Sequence, residues 1–282
     1  MEMKKNVIIT SIDFHYGNFF LNHWLRSLKT NINLKNIDII VLDYGLTNNQ
    51  KKKLLQQNVI IVNCVSSGHI VNKRFTDAAQ FLKTTNYDQV LFADGGDIIF
   101  QEDISHLFKK DKTKFRAIAL DLEVLFYEAF IPFNFGWKNS KKIYDFLIKK
   151  PVLNAGFILG PKKKFIEICI KMERLIANKH AYGPDQVALN YYLYKNKVKL
   201  LDKKYNFMIG TVKEGFTIKN GLFFTKDGQK IAVVHNAGHN RYLRPMKNFG
   251  YAIKSNKLNK FIYYFRLIFY SVLGTIKKFI SK

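Results

Sequence analysis

The chain has 282 residues, 48% of them hydrophobic, and carries 46 Lys and Arg against 21 Asp and Glu, a formal charge of +25. That is enough to bury a full core in one large α/β domain, with or without a small appendage, and no internal repeat or low-complexity linker divides it. The charge predicts attraction to something anionic: nucleic acid, a phospholipid surface or a phosphorylated small molecule.

The first apolar run, Val7 to Ile12, belongs to a short strand over Asn6 to Ile12 that ends in Ser11-Ile12-Asp13, where a ligand pocket would open. It is strand-length and lacks a small-residue cleavage site, so no signal peptide is read and the cytosol is the expected location. Phe19, Phe20, Trp24, Leu25 and Leu28 then fall at helical spacing between Asn18 and Leu28. A strand at Ile37 to Leu42, a polar helix from Thr47 to Gln57 and a strand at Val59 to Val65 complete an alternation with short joints, the signature of a parallel sheet flanked by helices. Cys64 and Cys169 lie far apart with no metal-ligand spacing, so a reducing compartment is the default.

A helix from Asn72 to Lys83 carries Lys73, Arg74 and Asp77 near its start, and a helix N-terminus with adjacent cations suits a diphosphate. It leads into Val90-Leu91-Phe92-Ala93-Asp94-Gly95-Gly96-Asp97-Ile98-Ile99-Phe100, around which the chain is organised. Two carboxylates separated only by glycines arrive at the end of a buried strand. Like charges this close either hold a cation between them or raise one pKa. A Gly-Gly hairpin turn with solvated acids is the bland alternative, and the apolar runs on both sides favour burial over it.

Beyond this turn, Ile104 to Lys109 reads as a short helix and Ala117 to Leu120 as a strand, while the aromatic stretch Phe126 to Trp137 has weak periodicity and is expected as a loop over the pocket. Asn154-Ala155-Gly156 opens a strand that runs to Gly160, and its small residues permit close ligand approach. After a helix from Lys162 to Ala177, Gly183-Pro184-Asp185-Gln186 begins another, with Pro184 and Asp185 suited to a first turn. Short strands are expected near Val198 to Leu201, Asn206 to Ile209 and Leu222 to Phe224. Ile231 to Val234 then delivers His235, with Gly238 and Arg241 after it. A histidine there can add a nitrogen ligand to a carboxylate-bound ion, and Arg241 can clamp phosphate.

In this order the motifs resemble glycosyltransferase family 8, the retaining galactosyl- and glucosyltransferases, from about Asn6 to Arg241. The resemblance implies a GT-A type, Rossmann-like, mixed but mainly parallel sheet flanked by helices. It also implies transfer of a hexose from a UDP-sugar to a glycan or glycolipid hydroxyl, probed by the following residues. Asp94-Gly95-Gly96-Asp97 occupies the place of the family's Asp-x-Asp turn, one residue longer, so Asp97 is the firmer ligand of Mn²⁺ (or Mg²⁺) and His235 completes the set. Asn154, Asp185 and Gln186 would lie by the donor sugar, with Arg241 (where the family has Lys) on the diphosphate and Gly238 in the same motif, while Arg74 is expected on the diphosphate from its place near the start of its helix. Thr10, Ser11 and Asp13 would sit by the uridine, although the family's acidic pair is not reproduced there.

From Lys257 to Lys282 a dense apolar and aromatic run is interrupted by Arg266 and flanked by lysines. The uninterrupted part is shorter than the roughly 20 residues a bilayer span needs, and it suits an amphipathic helix lying on an anionic membrane. The domain division is therefore expected as 1–250 catalytic and 251–282 membrane-associating, peripheral on the inner face of the cytoplasmic membrane. A helix packed on the core is the competing reading. Such a location fits a lipooligosaccharide or capsule precursor as acceptor. Two rival functions are a sugar nucleotidyltransferase, for which Asp13-Phe14-His15-Tyr16-Gly17 lacks the Gly-rich basic loop, and a basic nucleic-acid binder. No nucleic acid is expected as partner, because the aromatics cluster in apolar runs instead of alternating with Lys and Arg.

Overall fold

The computed structural model describes residues 5–65, 67–121, 126–212, 214–238, 244–254 and 256–280. In chain order its strands are β1 (Asn6–Ile12), β2 (Ile37–Asp43), β3 (Ile60–Asn63), β4 (Gln89–Ala93), β5 (Ile98–Phe100), β6 (Arg116–Ala117), β7 (Phe157–Pro161), β8 (Lys199–Leu200), β9 (Phe207–Met208), β10 (Phe216–Lys219), β11 (Leu222–Thr225), β12 (Val233–His235), β13 (Met246–Lys247) and β14 (Lys257–Leu258). The helices are α1 (Phe14–Phe19), α2 (Arg26–Asn31), α3 (Asn48–Leu55), α4 (Ile70–Lys83), α5 (Phe126–Phe130), α6 (Trp137–Leu147), α7 (Lys162–Leu175), α8 (Pro184–Lys195) and α9 (Lys260–Ile280), with a π-helical turn, Phe20–Leu25, joining α1 to α2.

The main sheet has the order β3-β2-β1-β4-β7-β6-β8. Its β3, β2, β1 and β4 are parallel, and β7 is antiparallel to both β4 and β6. The fold is thus the expected mixed α/β sheet flanked by helices. Successive strand residues face opposite layers, as the pleat requires. Val7, Ile9, Val90 and Phe92 meet α4, α7 and α8, whereas Ile8, Leu91 and Ala93 meet Phe20, Trp24 and Leu28.

Winding reverses at β1: the chain goes outward to β2 and β3, and α4 then returns it to β4 on the other side of β1. Carboxyl ends of strands on either side of such a reversal diverge and leave a crevice. The turn after β4 leads directly into β5, which joins a small second sheet in the order β5-β12-β9. Antiparallel pairing sets Ile98 against His235, so the histidine is carried to the acidic turn by strand register.

Three local expectations differ. The stretch expected as an aromatic loop forms α5, and α6 starts at Trp137, because Ser140, Ile143 and Leu147 supply a buried stripe beyond the aromatic run. The helix expected from Asn18 begins at Phe14, since Asp13 caps it by accepting the backbone N–H groups of His15 and Tyr16. The hairpin partner β10 and the pair β13–β14 were not anticipated.

Buried Asn190 ties α8 to the chain preceding β7. Its Oδ1 accepts from Leu153 N at 2.6 Å and from Tyr127 Oη at 2.8 Å, and its Nδ2 donates to Leu153 O at 2.8 Å. Asn190→Leu leaves these buried groups unpaired and is expected to lower stability by about 2–4 kcal/mol, read as a shift in the urea midpoint at unchanged slope.

Candidate functional site

A cavity of about 380 Å³ opens at the carboxyl ends of β1 and β4. It is lined by Ser11, Asp13, Arg74, Asp94, Asp97, Asn154, Asp185, Gln186, His235 and Gly238, all singled out from the sequence. Thr10 does not reach it. The strand's alternation turns this fully buried side chain inward, and a Cβ on Gly95 would stand 2.6 Å from its Oγ1. Arg241 lies outside the described residues.

The acidic turn is fixed by its backbone. Asp94 N–H donates to Gly156 O at 2.9 Å, and Asp94 O accepts from the indole Nε1 of Trp24 at 2.9 Å. Asp97 O accepts from Asn236 N at 2.9 Å. Gly156 must be glycine, because a Cβ there would fall on Asp94 Oδ2 and within 2.8 Å of the His235 ring.

Each carboxylate divides its oxygens between an arginine and a shared centre. Asp94 Oδ1 pairs with Arg74 Nη1 at 2.5 Å and Asp97 Oδ2 with Arg244 Nη2 at 2.9 Å. The other oxygens face His235 Nε2, Asp94 Oδ2 at 3.7 Å and Asp97 Oδ1 at 3.2 Å. One ligand atom from each of the three residues lies within 4.8 Å of the others.

The state of the imidazole follows from its neighbours. Gly156 N–H, a donor only, meets Asn154 Oδ1 at 2.9 Å, so the group that reaches this oxygen from Asn206 at 3.0 Å is its amide nitrogen. Asn206 Oδ1 then faces His235 Nδ1 at 2.9 Å and assigns it the proton. In the neutral ring this leaves a lone pair on Nε2, which is buried with no hydrogen-bond partner. A lone pair facing two carboxylate oxygens is repulsive until a proton or a cation lies among them. Two carboxylates and one imidazole held by an outer amide form a donor set that fits Mn²⁺ or Mg²⁺.

Burial works against ionisation of Asp97, but the neighbouring His235, Arg244 and Arg74 outweigh it and hold the carboxyl below its ordinary value. Asp185 behaves oppositely. It is 4% exposed in the first turn of α8, and its ion pair among the described residues, with Arg74 Nη2 at 3.5 Å, is long. Desolvation therefore pushes its pKa up to about 6, against the opposing pull of Arg74. Gln186 sits one residue on, its Oε1 accepting from Ala155 N at 3.2 Å.

Sequence reasoning missed Arg244, Asn206, Trp24 and Tyr182. Arg244 also donates to Gly96 O at 3.0 Å and lies over the Tyr16 ring at 5.3 Å. The available signal was a cation before Pro245, beyond the His235-x-x-Gly238 segment.

The chain matches the model of glycosyl transferase family 8 over residues 7–241. It belongs to glycosyltransferase family 8. Its solved structural neighbours share the fold at low identity. Bifunctional glycosyltransferase WbbM has a TM-score of 0.58 and 17% identity, with 86% of this chain and 47% of WbbM covered, so the chain spans about half of that protein. Galactosyltransferase LgtC, in complex with donor and acceptor sugar analogues, has a TM-score of 0.54 and 16% identity over 88% of this chain and 92% of its own. GlyE from Streptococcus pneumoniae TIGR4 has a TM-score of 0.53 and 17% identity over 99% of this chain and 64% of GlyE. No protein of curated function matches the sequence. The family assignment makes the chain a glycosyltransferase of GT-A architecture.

Asp185 generates a pH test. Its native pKa of about 6 lies above the ordinary carboxyl value of 3.8, so the native state holds the extra proton between them and wild-type stability falls as pH rises through that window. Asp185→Asn removes the titration. The stability of the variant relative to wild type is expected to grow between pH 4 and pH 7 by up to about 3 kcal/mol, measured by urea unfolding across that range.

Proposed function

We propose that this protein transfers a hexose from a UDP-sugar to a hydroxyl of a glycan or glycolipid, with retention, using Mn²⁺ or Mg²⁺ held by Asp94, Asp97 and His235. The observation that carries the reading is the unpartnered Nε2 of His235 converging with one oxygen from each aspartate inside the cavity. LgtC, whose structure contains donor and acceptor sugar analogues, supplies a precedent of the same fold for such a cavity.

When bound, the divalent ion supplies positive charge at the donor's diphosphate, where negative charge builds as the leaving group departs. The chain's own residues do the remaining work. Arg244 and Arg74 orient the two ligand carboxylates and add fixed positive charge next to the diphosphate. Arg244 takes the role expected of Arg241, which lies outside the described residues. Ser11 and Asp13 flank the uridine end of the cavity, and Gly238 leaves room for the diphosphate. Asp185, Gln186 and Asn154 hold the donor sugar: Asn154 is locked by Gly156 and Asn206, and Gln186 by Ala155. Asp185, ionised above pH 6, eases the positive charge that develops at the anomeric carbon. None of these side chains is placed as a dedicated strong base, and the departing phosphate is the group that accepts the acceptor's proton.

We place this activity in cell-surface polysaccharide or lipooligosaccharide synthesis, at the inner face of the cytoplasmic membrane. Among the described residues no helix is long and apolar enough to cross a membrane. The outer face of α9 nevertheless carries Phe261, Tyr264, Phe265, Ile268, Phe269 and Val272, each about half exposed or more. Phe261, Phe265 and Phe269 stack in sequence along it, at 6.3 and 5.9 Å. Exposed Lys257 and Lys260 lie at its start, and Lys277 and Lys278 follow in the sequence. An apolar stripe of this kind with flanking cations suits the headgroup boundary of an anionic bilayer, which would bring a lipid-linked acceptor to the cavity.

Three measurements test these readings. Asp97→Ala is expected to abolish metal-dependent hydrolysis of UDP-glucose or UDP-galactose with the fold intact, and Asn206→Ala to weaken Mn²⁺ affinity about 10- to 100-fold by releasing His235. Undiminished turnover in Asp97→Ala would refute the metal role. In flotation with anionic vesicles, Phe265→Ser with Ile268→Ser is expected to reduce binding about 10-fold or more. Unchanged flotation would refute the membrane reading.

A further inference from the structure

The helix α9 has an inner face as well as an outer one. Tyr263, Arg266 and Leu267 fall at i, i+3 and i+4, so they share one side of the helix. Tyr263 is 6% exposed, packs with Ile99 and Val234 and meets Phe216 edge-on at 5.9 Å. Leu267 packs against the same cluster. Arg266 reaches further, and its Nη1 donates to Ala237 O at 2.9 Å.

Two chain segments meet at this guanidinium, and both lead back to the histidine. Ala237 follows His235 by two residues and lines the cavity. Gly210 follows Met208 by two residues, and Met208 is the register partner of His235 across β9 and β12. At Gly210 a Cβ would stand 2.6 Å from Arg266 Cζ, so the absence of a side chain there is what lets the guanidinium in. Among the described residues the end of β12 is also held by His235 O, which accepts from Ile209 N, and by Asn236, whose N donates to Asp97 O and whose side chain exchanges hydrogen bonds with Met246. The arginine supplies the tether for the next residue, at the point where the segment turns into the cavity wall.

We propose that Arg266 is a positioning residue for the donor site. The first turns of α9 are then a working part of the catalytic unit, and releasing the helix loosens the wall formed by Ala237 and Gly238 next to His235. The inference rests on the reading of this cavity as a metal and UDP-sugar site. It has a practical consequence, since a truncation made to remove the apolar helix also removes Tyr263 and Arg266.

Calorimetric titration of the full-length protein with UDP in the presence of Mn²⁺ tests it without turnover. Arg266→Ala is expected to weaken UDP affinity about 10-fold, the size typical of outer-shell groups around a metal site. Arg266→Lys, which keeps one donor within reach of Ala237 O, is expected to recover part of the loss. Phe265→Ser, on the exposed face of the same helix, is expected to bind as wild type, and all three to melt cooperatively near the wild-type temperature. Wild-type affinity in Arg266→Ala would overturn the inference, as would an equal loss in Phe265→Ser or a loss in Arg266→Ala that Lys does not relieve. A wild-type protein that bound UDP equally with and without Mn²⁺, or not at all, would instead overturn the donor-site reading on which the inference stands.

Discussion

Asp94 and Asp97 are held at one turn in a largely buried cavity, and the surrounding structure is arranged to make that tolerable. In low dielectric an uncompensated carboxylate costs several kcal/mol, and two together cost more. The fold supplies a guanidinium for one oxygen of each, Arg74 from α4 and Arg244 from the segment before β13. The remaining oxygens are turned toward His235, so the site is neutralised on its flanks and left electron-rich at its centre. On the proposed reading, a hard cation would sit between the three inward atoms and an anionic diphosphate would lie along the arginine flanks.

Strand topology explains why these groups meet although they are distant in sequence. Reversal of winding at β1 opens the crevice, the glycine turn after β4 delivers the aspartates to it, and β5 pairs with β12 to bring in the histidine. Asn206 arrives beside the second sheet from just before β9, which pairs with β12 on its other edge. Rigid pairing on both sides of β12 positions His235 with little freedom before any ligand binds. The preorganisation is therefore a property of the backbone network, and the side-chain hydrogen bonds refine it.

What could be read in the sequence follows the range of the interactions. The parallel strands were legible because each is a short apolar run bounded by turn residues, and the ends of β1, β4 and β12 named their own polar residues. Helix α6 was not, because Trp137 and Phe133 are exposed and obscure the apolar period that Ser140, Ile143 and Leu147 carry. Residues that act through distant partners left at most a lone cation, as Arg244 does before Pro245. Trp24 reaches Asp94, Asn206 reaches His235, and Arg244 reaches Gly96 from separate parts of the chain. Thr10 misleads for the opposite reason, since it stands in a polar cluster at a strand end while the pleat turns it into the core.

Net charge acts at a different distance from the site's own electrostatics. Within the cavity Arg74 and Arg244 are committed to Asp94, Asp97 and Asp185, so the excess positive charge of +25 resides elsewhere. Lysines such as Lys52, Lys53, Lys138 and Lys163 are exposed and far outnumber the surface acids. Screened over about 8 Å at physiological salt, they cannot specify a substrate but can raise the encounter rate of anionic ones and of an anionic surface. Specificity is left to the buried network, where each charge has a fixed partner. On the proposed reading the two scales are separable: neutralising surface lysines would alter approach and its salt dependence, while exchanging Asp97 or Arg244 would alter what is held once it has arrived.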